Sequence, residues 1–445
     1  MNRRITITLA IAISAAASAF AQTPATEALA AIGGRTITAQ DLEPSIAEAW
    51  LALPSRLLAA RKQLLEQQID RKILELEAAK RSTTVEALVE AEVSTDLPDP
   101  TEDEIKRVYE ENKDQIGDVP LVRVRADIVD FIKKETERER YAKFIDKLRS
   151  GHKITYGKNI NDPGLLRKDV IATIDDITVI YLDYERRNGL ALYEMEANIT
   201  DAVIQSVTQV VDAAVYTSEA ESLGIATSEF IAQEITGKMK DFSDGEREKL
   251  ESDLRSRLYK KYRVIFLVNE VTPYVQAVLP DDDPFLGRAN AKVTVVMFSD
   301  FECPACAGVH PIIKQVIKEF GANVRLVVRD FPLESIHKHA FQAAVAAEAA
   351  KKQGKFFEYI ELLYNNQDAL DRESLSRYAD EAGLDLGRFE RDINDPELAS
   401  EIRKDISDGK SYGVTGTPGI FVNGYKIRTL SASSFKKAIK RALER

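Results

Sequence analysis

The feature that most constrains this chain is a pair of apolar, β-rich runs, Val293 to Phe298 and Val324 to Val328, separated by a segment that opens with Cys303-Pro304-Ala305-Cys306. Runs of this length and composition read as buried strands, and the segment between them reads as a helix from Cys303 towards Phe320. A long helical stretch follows, from about His337 to Tyr412. Then come Thr417-Pro418, a strand from Ile420 to Val422, a turn at Asn423-Gly424, and a last strand and helix to Arg445. Strand, helix, strand, helical insert, hairpin and helix is an α/β order. It assigns 291–445 to one domain, with the helical insert at about 337–412.

Cysteine usage sharpens this. The chain holds two cysteines, at 303 and 306. Exported proteins commonly use cysteines as staples spread along the sequence, but a Cys-X-X-Cys closes too small a loop to hold a fold together. Chemistry is the better explanation. If Cys303 sits where a helix begins, unpaired backbone N–H groups and the positive end of the helix dipole face its sulfur. They favour the thiolate, which is the nucleophile. Cys306, three residues on, lies on the same face and is placed to attack a mixed disulfide on Cys303. Pro304 suits the first helical turn, where no N–H is needed. Zinc is the competing use of such a motif, but a structural zinc needs four ligands. Cys303 and Cys306 supply two and His310 at most a third, with no second cysteine pair. His310, His337 and His339 read as helix-face, surface or packing residues. No metal and no cofactor are expected beyond the cysteine pair itself.

A second constellation is Gly413-Val414-Thr415-Gly416-Thr417-Pro418-Gly419. A proline after a glycine-rich turn and just before a strand suits a cis bond, with an ordinary trans turn as the other reading. If this loop faces the cysteines, the backbone of Thr417 is free to pair with an extended substrate segment.

Residues from about 280 to 445 resemble the DsbA-like thioredoxin family. The carrying segments are Asp283-Pro284, Phe298-Ser299-Asp300-Phe301-Glu302-Cys303-Pro304-Ala305-Cys306, Asp330-Phe331-Pro332-Leu333, Gln353-Gly354-Lys355-Phe356, and Gly416-Thr417-Pro418-Gly419 with Phe421-Val422-Asn423-Gly424. The resemblance implies a thioredoxin fold with a helical insert, Cys303 attacking, Cys306 resolving and Pro418 as a cis-proline. Two positions depart from it. Met297 stands where many members carry a buried acid, and Ala305 lacks the histidine of the strongest oxidants. Together with Glu302, whose charge disfavours a neighbouring thiolate, these predict a centre less oxidising than about −120 mV. Thr417 before the proline also resembles the isomerases and reductases of the superfamily.

The rest of the chain is of another kind. Arg3 and Arg4, an apolar stretch from Ile5 to Ala17 and the small residues ending at Ala21 read as a secretory leader, 1–21, cleaved before Gln22. The apolar run is short for a membrane anchor. About 424 residues remain, with 59 basic against 72 acidic side chains, a net of −13. This balance argues against a nucleic-acid partner. Residues 22–165 are rich in helix formers, and Leu58, Leu65, Ile69, Ile73 and Leu76 fall on one stripe. Pro100-Thr101-Glu102-Asp103-Glu104 reads as a capped helix start, and a basic helix ends at Gly151.

Residues 166–275 look like a diverged second copy. Ile69-Asp70 matches Val211-Asp212, ungapped to Val93 and Ile235, and Leu148-Arg149 matches Leu254-Arg255 ahead of a short β-like run. The first copy also resembles the N-terminal region of the SurA and PrsA folding factors. It does so through Ile32-Gly33-Gly34-Arg35-Thr36-Ile37-Thr38, Gln68-Ile69-Asp70 and Pro100 to Lys113, without a recognisable isomerase domain. A polar linker is assigned to 276–290 from Pro280-Asp281-Asp282-Asp283-Pro284.

The function these features suggest is thiol–disulfide exchange outside the cytoplasm, periplasmic or otherwise exported. The substrates would be cysteine-containing or unfolded exported proteins, with a membrane redox partner restoring the centre. The helical region would bind clients, mediate homo-oligomerisation or act as a spacer. The alternatives are an isomerase or reductase rather than an oxidase, or a chaperone with an accessory redox domain.

Overall fold

The computed structural model describes residues 27–444; the leader expected at 1–21, with its cleavage site, lies outside them. From the N-terminus the elements are β1 (Ala30–Ile32), β2 (Arg35–Ile37), α1 (Pro44–Lys80), α2 (Val85–Val89), α3 (Glu102–Glu111), α4 (Lys113–Ile116), α5 (Leu121–Ser150), β3 (Ile154–Tyr156), β4 (Val170–Ile174) and β5 (Ile177–Ile180). They continue with α6 (Tyr181–Leu223), α7 (Thr227–Glu234), α8 (Asp244–Lys261), β6 (Ile265–Phe266), β7 (Phe285–Leu286), β8 (Val293–Ser299), α9 (Pro304–Phe320) and β9 (Val324–Asp330). The helical insert is α10 (Ala340–Lys351), α11 (Phe356–Asn365), α12 (Arg372–Glu381), α13 (Leu386–Asp392) and α14 (Pro396–Ser411); β10 (Gly419–Val422), β11 (Tyr425–Lys426) and α15 (Ala432–Leu443) close the chain.

Two compact units form, and they do not follow the division expected at 165/166. Among the described residues, one unit comprises 27–56 together with Met195–Val271; the other comprises Leu57–Glu194 and 272–444. The cuts fall inside the two longest helices, α1 and α6, and the cause is how the hairpins pair. The hairpin β1–β2 turns at Gly33-Gly34, both at positive φ, the backbone that a two-residue hairpin turn requires. It does not pair with β3, which follows the first run of helices; β1 pairs antiparallel with β6. The hairpin β4–β5 pairs instead with β3. The core of the first unit therefore combines Leu29, Ala30 and Ile37 with Val203, Val207, Val211 and Val215 of α6 and Leu254 and Leu258 of α8. A core in the second combines Ile171, Ile174 and Val179 with Leu65, Ile69 and Ile73 of α1 and Phe144, Ile145 and Leu148 of α5. Leu58 belongs to neither core and is 45% exposed.

Within each unit a corresponding ion pair braces the long helix. Arg149 contacts Asp70 in one, and Arg255 Nε lies 2.9 Å from Asp212 in the other. These are the positions that the two sequence segments align. Thr101 caps α3 with Glu104 returning the bond to its backbone, as the acid-rich start predicts.

The second unit also carries a five-stranded sheet in the order β11-β10-β8-β9-β7. β8 and β9 are parallel, and β10 runs antiparallel to β8. Both central strands are almost entirely buried, because helices cover both faces and leave no solvent side to be polar.

The stretch assigned as a linker, 276–290, is part of this domain. Phe285 and Leu286 form the edge strand on β9, and Asp283 lies 2.8 Å from Arg329, whose side chain is fully buried. The acid run that reads as a loop supplies counter-charge. Asp405 and Asp408 also pair with Arg329, and burial and the charge of Asp405 push Asp283 up to about 8. Replacing Arg329 by Met should leave the Asp405 and Asp408 carboxylates without their cation and cost about 3–5 kcal/mol. Urea unfolding of the full chain at pH 7 checks this.

Candidate functional site

The site lies where β8 ends and α9 begins. Val293 to Ser299 runs as a buried strand, and the chain turns through Asp300 to Cys303, which is the N-cap of α9 with extended backbone. Pro304 occupies the first helical turn, where its missing N–H costs nothing. Asp300, buried beneath the turn, organises it. One carboxylate oxygen accepts from the Glu302 N–H at 2.8 Å. The other accepts from the Leu333 N–H and meets His337 Nδ1, each at 2.8 Å. Glu302 in turn accepts from the His339 N–H at 2.7 Å. Gln367, in the turn after the insert's second helix, donates to the carbonyls of Phe301 and Cys303, both at 2.9 Å. The turn is thus held on two sides by segments distant in sequence.

The two sulfurs differ sharply. Cys303 is 7% exposed and Cys306 fully buried. The Cys306 thiol donates towards the Cys303 sulfur, and Thr417 with the N–H groups of Cys306 and Ala305 adds to it; against the cost of burial, these lower Cys303 to about 5. For Cys306 burial comes first and the neighbouring Cys303 second, and both push its thiol far up. The centre therefore holds one thiolate and one thiol at neutral pH. The cause is not the X-X pair on which the sequence argument turned. Ala305 contributes through its backbone, and the neighbouring Cys306 contributes most.

The Thr417-Pro418 peptide bond is cis. It brings the Thr417 carbonyl to 3.5 Å from Cys303 Sγ. The Thr417 hydroxyl is buried with no hydrogen-bond partner among the described residues, which leaves it available to the thiolate. Beyond Pro418 the chain enters β10, where Gly419 pairs with Phe298. A Cβ at Gly419 would come within 2.8 Å of Val414, so this close approach needs glycine.

Of the residues singled out from sequence, Glu302, Cys303, Pro304, Ala305, Cys306, Thr417 and Pro418 all gather here. His310 is buried one turn below Cys306, its Nε2 2.9 Å from Glu361, and burial lowers it below the usual histidine range. His337, which reads in sequence as a surface or packing residue, belongs to the site. Burial opposes its protonation, but the bond to Asp300 and the negative charges of Asp300, Cys303 and Glu302 raise it. Sequence reasoning also passed over Asp300 and Gln367, whose partners lie 37 and more than 60 residues away.

Residues 280–441 match the model of the Thioredoxin family, and this C-terminal region has a thioredoxin-like fold. Among curated proteins the chain is 41% identical over 160 residues to the Na(+)/H(+) antiporter NhaA 3 of Salinispora tropica, covering 35% of this chain and 24% of that protein. It is 36% identical over 149 residues to the Na(+)/H(+) antiporter NhaA of Herminiimonas arsenicoxydans, covering 34% and 24%. The chain thus spans about a quarter of the length of these curated relatives. Similar solved structures include a thioredoxin-like oxidoreductase from Silicibacter pomeroyi, 30% identical, covering 37% of this chain and 94% of that one at a TM-score of 0.35. Another is BdbD from Bacillus subtilis, 23% identical, covering 39% and 100% at 0.36.

The role of the Thr417 hydroxyl is testable. A hydrogen bond to a charged group is worth about 1.5–3 kcal/mol, so Thr417→Val should slow iodoacetamide alkylation of Cys303 at pH 5 by about an order of magnitude. At pH 8, where both proteins hold the thiolate, the rates should converge.

Proposed function

We propose that the chain is a thiol–disulfide oxidoreductase that exchanges disulfides with protein substrates outside the cytoplasm. Cys303 is the residue that forms the mixed disulfide, and Cys306 is the residue that resolves it. The observation that carries this reading is the division of labour between the two sulfurs: a stabilised thiolate at a helix start, and a buried thiol beside it. An inert structural pair has no use for that asymmetry.

In the oxidising direction a substrate thiolate attacks the Cys303 sulfur of the Cys303–Cys306 disulfide. That bond breaks, and its electron pair leaves with Cys306, which takes up a proton. A second substrate thiolate then attacks the substrate sulfur of the mixed disulfide and expels the Cys303 thiolate. The substrate gains a disulfide and the centre gains two electrons. A thiol held near pKa 5 is a good leaving group and stabilises the reduced centre, which favours this direction. Since about 5 falls between the values typical of strongly reducing and strongly oxidising members of this chemistry, the potential should lie between roughly −270 and −120 mV.

The Thr417 backbone beside Cys303 suits pairing with an extended substrate segment. The leader expected at 1–21 would bring export, and the helical region would bind clients or mediate self-association. A membrane partner would reset the centre. The ratio of oxidised to reduced centre in the cell separates an oxidase from an isomerase or reductase, which must be kept reduced.

Cys306→Ser should accumulate mixed disulfides with substrate proteins, visible as higher-mass bands that collapse with reductant. Cys303→Ser should form none and lose thiol-oxidising activity. Equal activity in Cys303→Ser and the unsubstituted protein would eliminate the enzymatic reading.

A further inference from the structure

Cys306 is fully buried, so the proton it gains or loses in each exchange has to pass through the protein. Position 297 offers nothing for this, being a methionine buried in β8. Exchangeable groups occur two residues further along the same strand. Ser299, also buried, is among the groups that favour the charged form of Cys306, and its hydroxyl lies 2.6 Å from the Tyr364 hydroxyl. Tyr364 comes from α11 and is packed between the rings of Phe301 and His310, at 5.4 and 5.0 Å. Opposite Ser299 in the parallel register of β8 and β9 stands Asp330, so the two side chains share one face of the sheet. Asp330 is buried, and its Oδ1 has no hydrogen-bond partner among the described residues. A buried carboxyl oxygen without a partner is costly and is the sort of exception that calls for a functional account.

We infer that Ser299, Tyr364 and Asp330 form an internal proton path that serves Cys306. This rests on the thiol–disulfide reading above and assigns the step that reading leaves open. When a thiolate attacks the Cys303 sulfur, the electron pair of the broken S–S bond stays on Cys306. Cys306 takes the Ser299 hydroxyl proton, and Ser299 is reprotonated from the groups beside it, Tyr364 through their hydrogen bond and Asp330 across the strand pair. When Cys306 later attacks a mixed disulfide, the same proton returns along the same groups. Asp330 suits the role of store. Burial, with the charges of Glu348, Asp405 and Asp283 against that of Lys351, raises its carboxyl well above the usual range, which favours its protonated form. The groups facing it are Glu348 and Lys351 on α10, Asp405 on α14, Asp283 ahead of β7 and Tyr364 on α11. Burial and then the neighbouring Cys306 raise the Tyr364 hydroxyl in turn, so it passes a proton on without being left ionised.

The test uses the oxidised full-length protein reduced by dithiothreitol, quenched with acid and scored by thiol alkylation from pH 6 to 9. No protein substrate is involved, so failure here is distinct from failure of the proposed function; a protein that reacts normally with dithiothreitol but oxidises no protein thiols would sink only the latter. Tyr364→Phe keeps the ring and removes the hydroxyl. Tyr364→Phe and Asp330→Asn should each slow reduction, per dithiothreitol thiolate, by about a hundredfold, the low end for general acid–base assistance. In the unsubstituted protein that rate should fall as Asp330 ionises with rising pH, and in Asp330→Asn it should be flat. Iodoacetamide alkylation of Cys303 in the reduced variants should stay at the unsubstituted rate. Unchanged reduction rates and pH profiles in both variants would overturn the inference. So would slowing matched by an equal loss of Cys303 alkylation, which marks a collapsed site.

Discussion

The unequal burial of two neighbouring sulfurs sets the character of the proposed redox centre. The Cys306 thiol donates towards Cys303, so the anion on one sulfur is stabilised by the proton kept on the other. The arrangement holds only if Cys303 stays at the edge of the domain while Cys306 stays inside it, three residues on. A helix that begins at Pro304 provides that placement, because its first turn carries the chain from the end of a buried strand straight into the core. Much else in the domain serves to hold that turn: the Asp300 carboxylate beneath it, Gln367 from the insert, and the cis Thr417-Pro418 loop closing over the outer sulfur.

The helical remainder obeys a different constraint. Short hairpins and short terminal strands cannot bury their apolar faces alone. Here each hairpin finds its third strand after the other run of helices, not after its own. The long helices α1 and α6 are long because each begins in one core and ends in the other. Equivalent Arg–Asp pairs at Arg149–Asp70 and Arg255–Asp212 then fasten the closing helix to the long one in each unit.

Much of the redox domain was legible because its signals are local. The apolar run Val293–Phe298, the Cys-X-X-Cys next to it and the Gly-Thr-Pro-Gly turn are each contained in a few residues, and the elements form close to where those residues place them. What sequence hid depends on pairing across distance. His337 looks like a surface histidine until β9 brings its loop over Asp300. Ser299 looks like a strand end until the parallel register sets it opposite Asp330 and α11 brings Tyr364 to it. Asp281-Asp282-Asp283 looks like a linker until the buried Arg329, more than forty residues on, is seen to need a counter-charge. In the helical region, periodicity gave the helices and alignment gave the matched segments. Neither encodes which hairpin packs with which core.

The claim on which the rest depends is that the reduced protein holds one thiolate at Cys303, near pH 5, while Cys306 remains a thiol. Absorbance at 240 nm, which reports thiolate, measures this directly when the reduced protein is titrated from pH 3 to 9. The account expects a single rise with a midpoint near 5, lost in Cys303→Ser and followed by no second step up to pH 9. A first rise near 8.5, the value of an unperturbed cysteine, would contradict it.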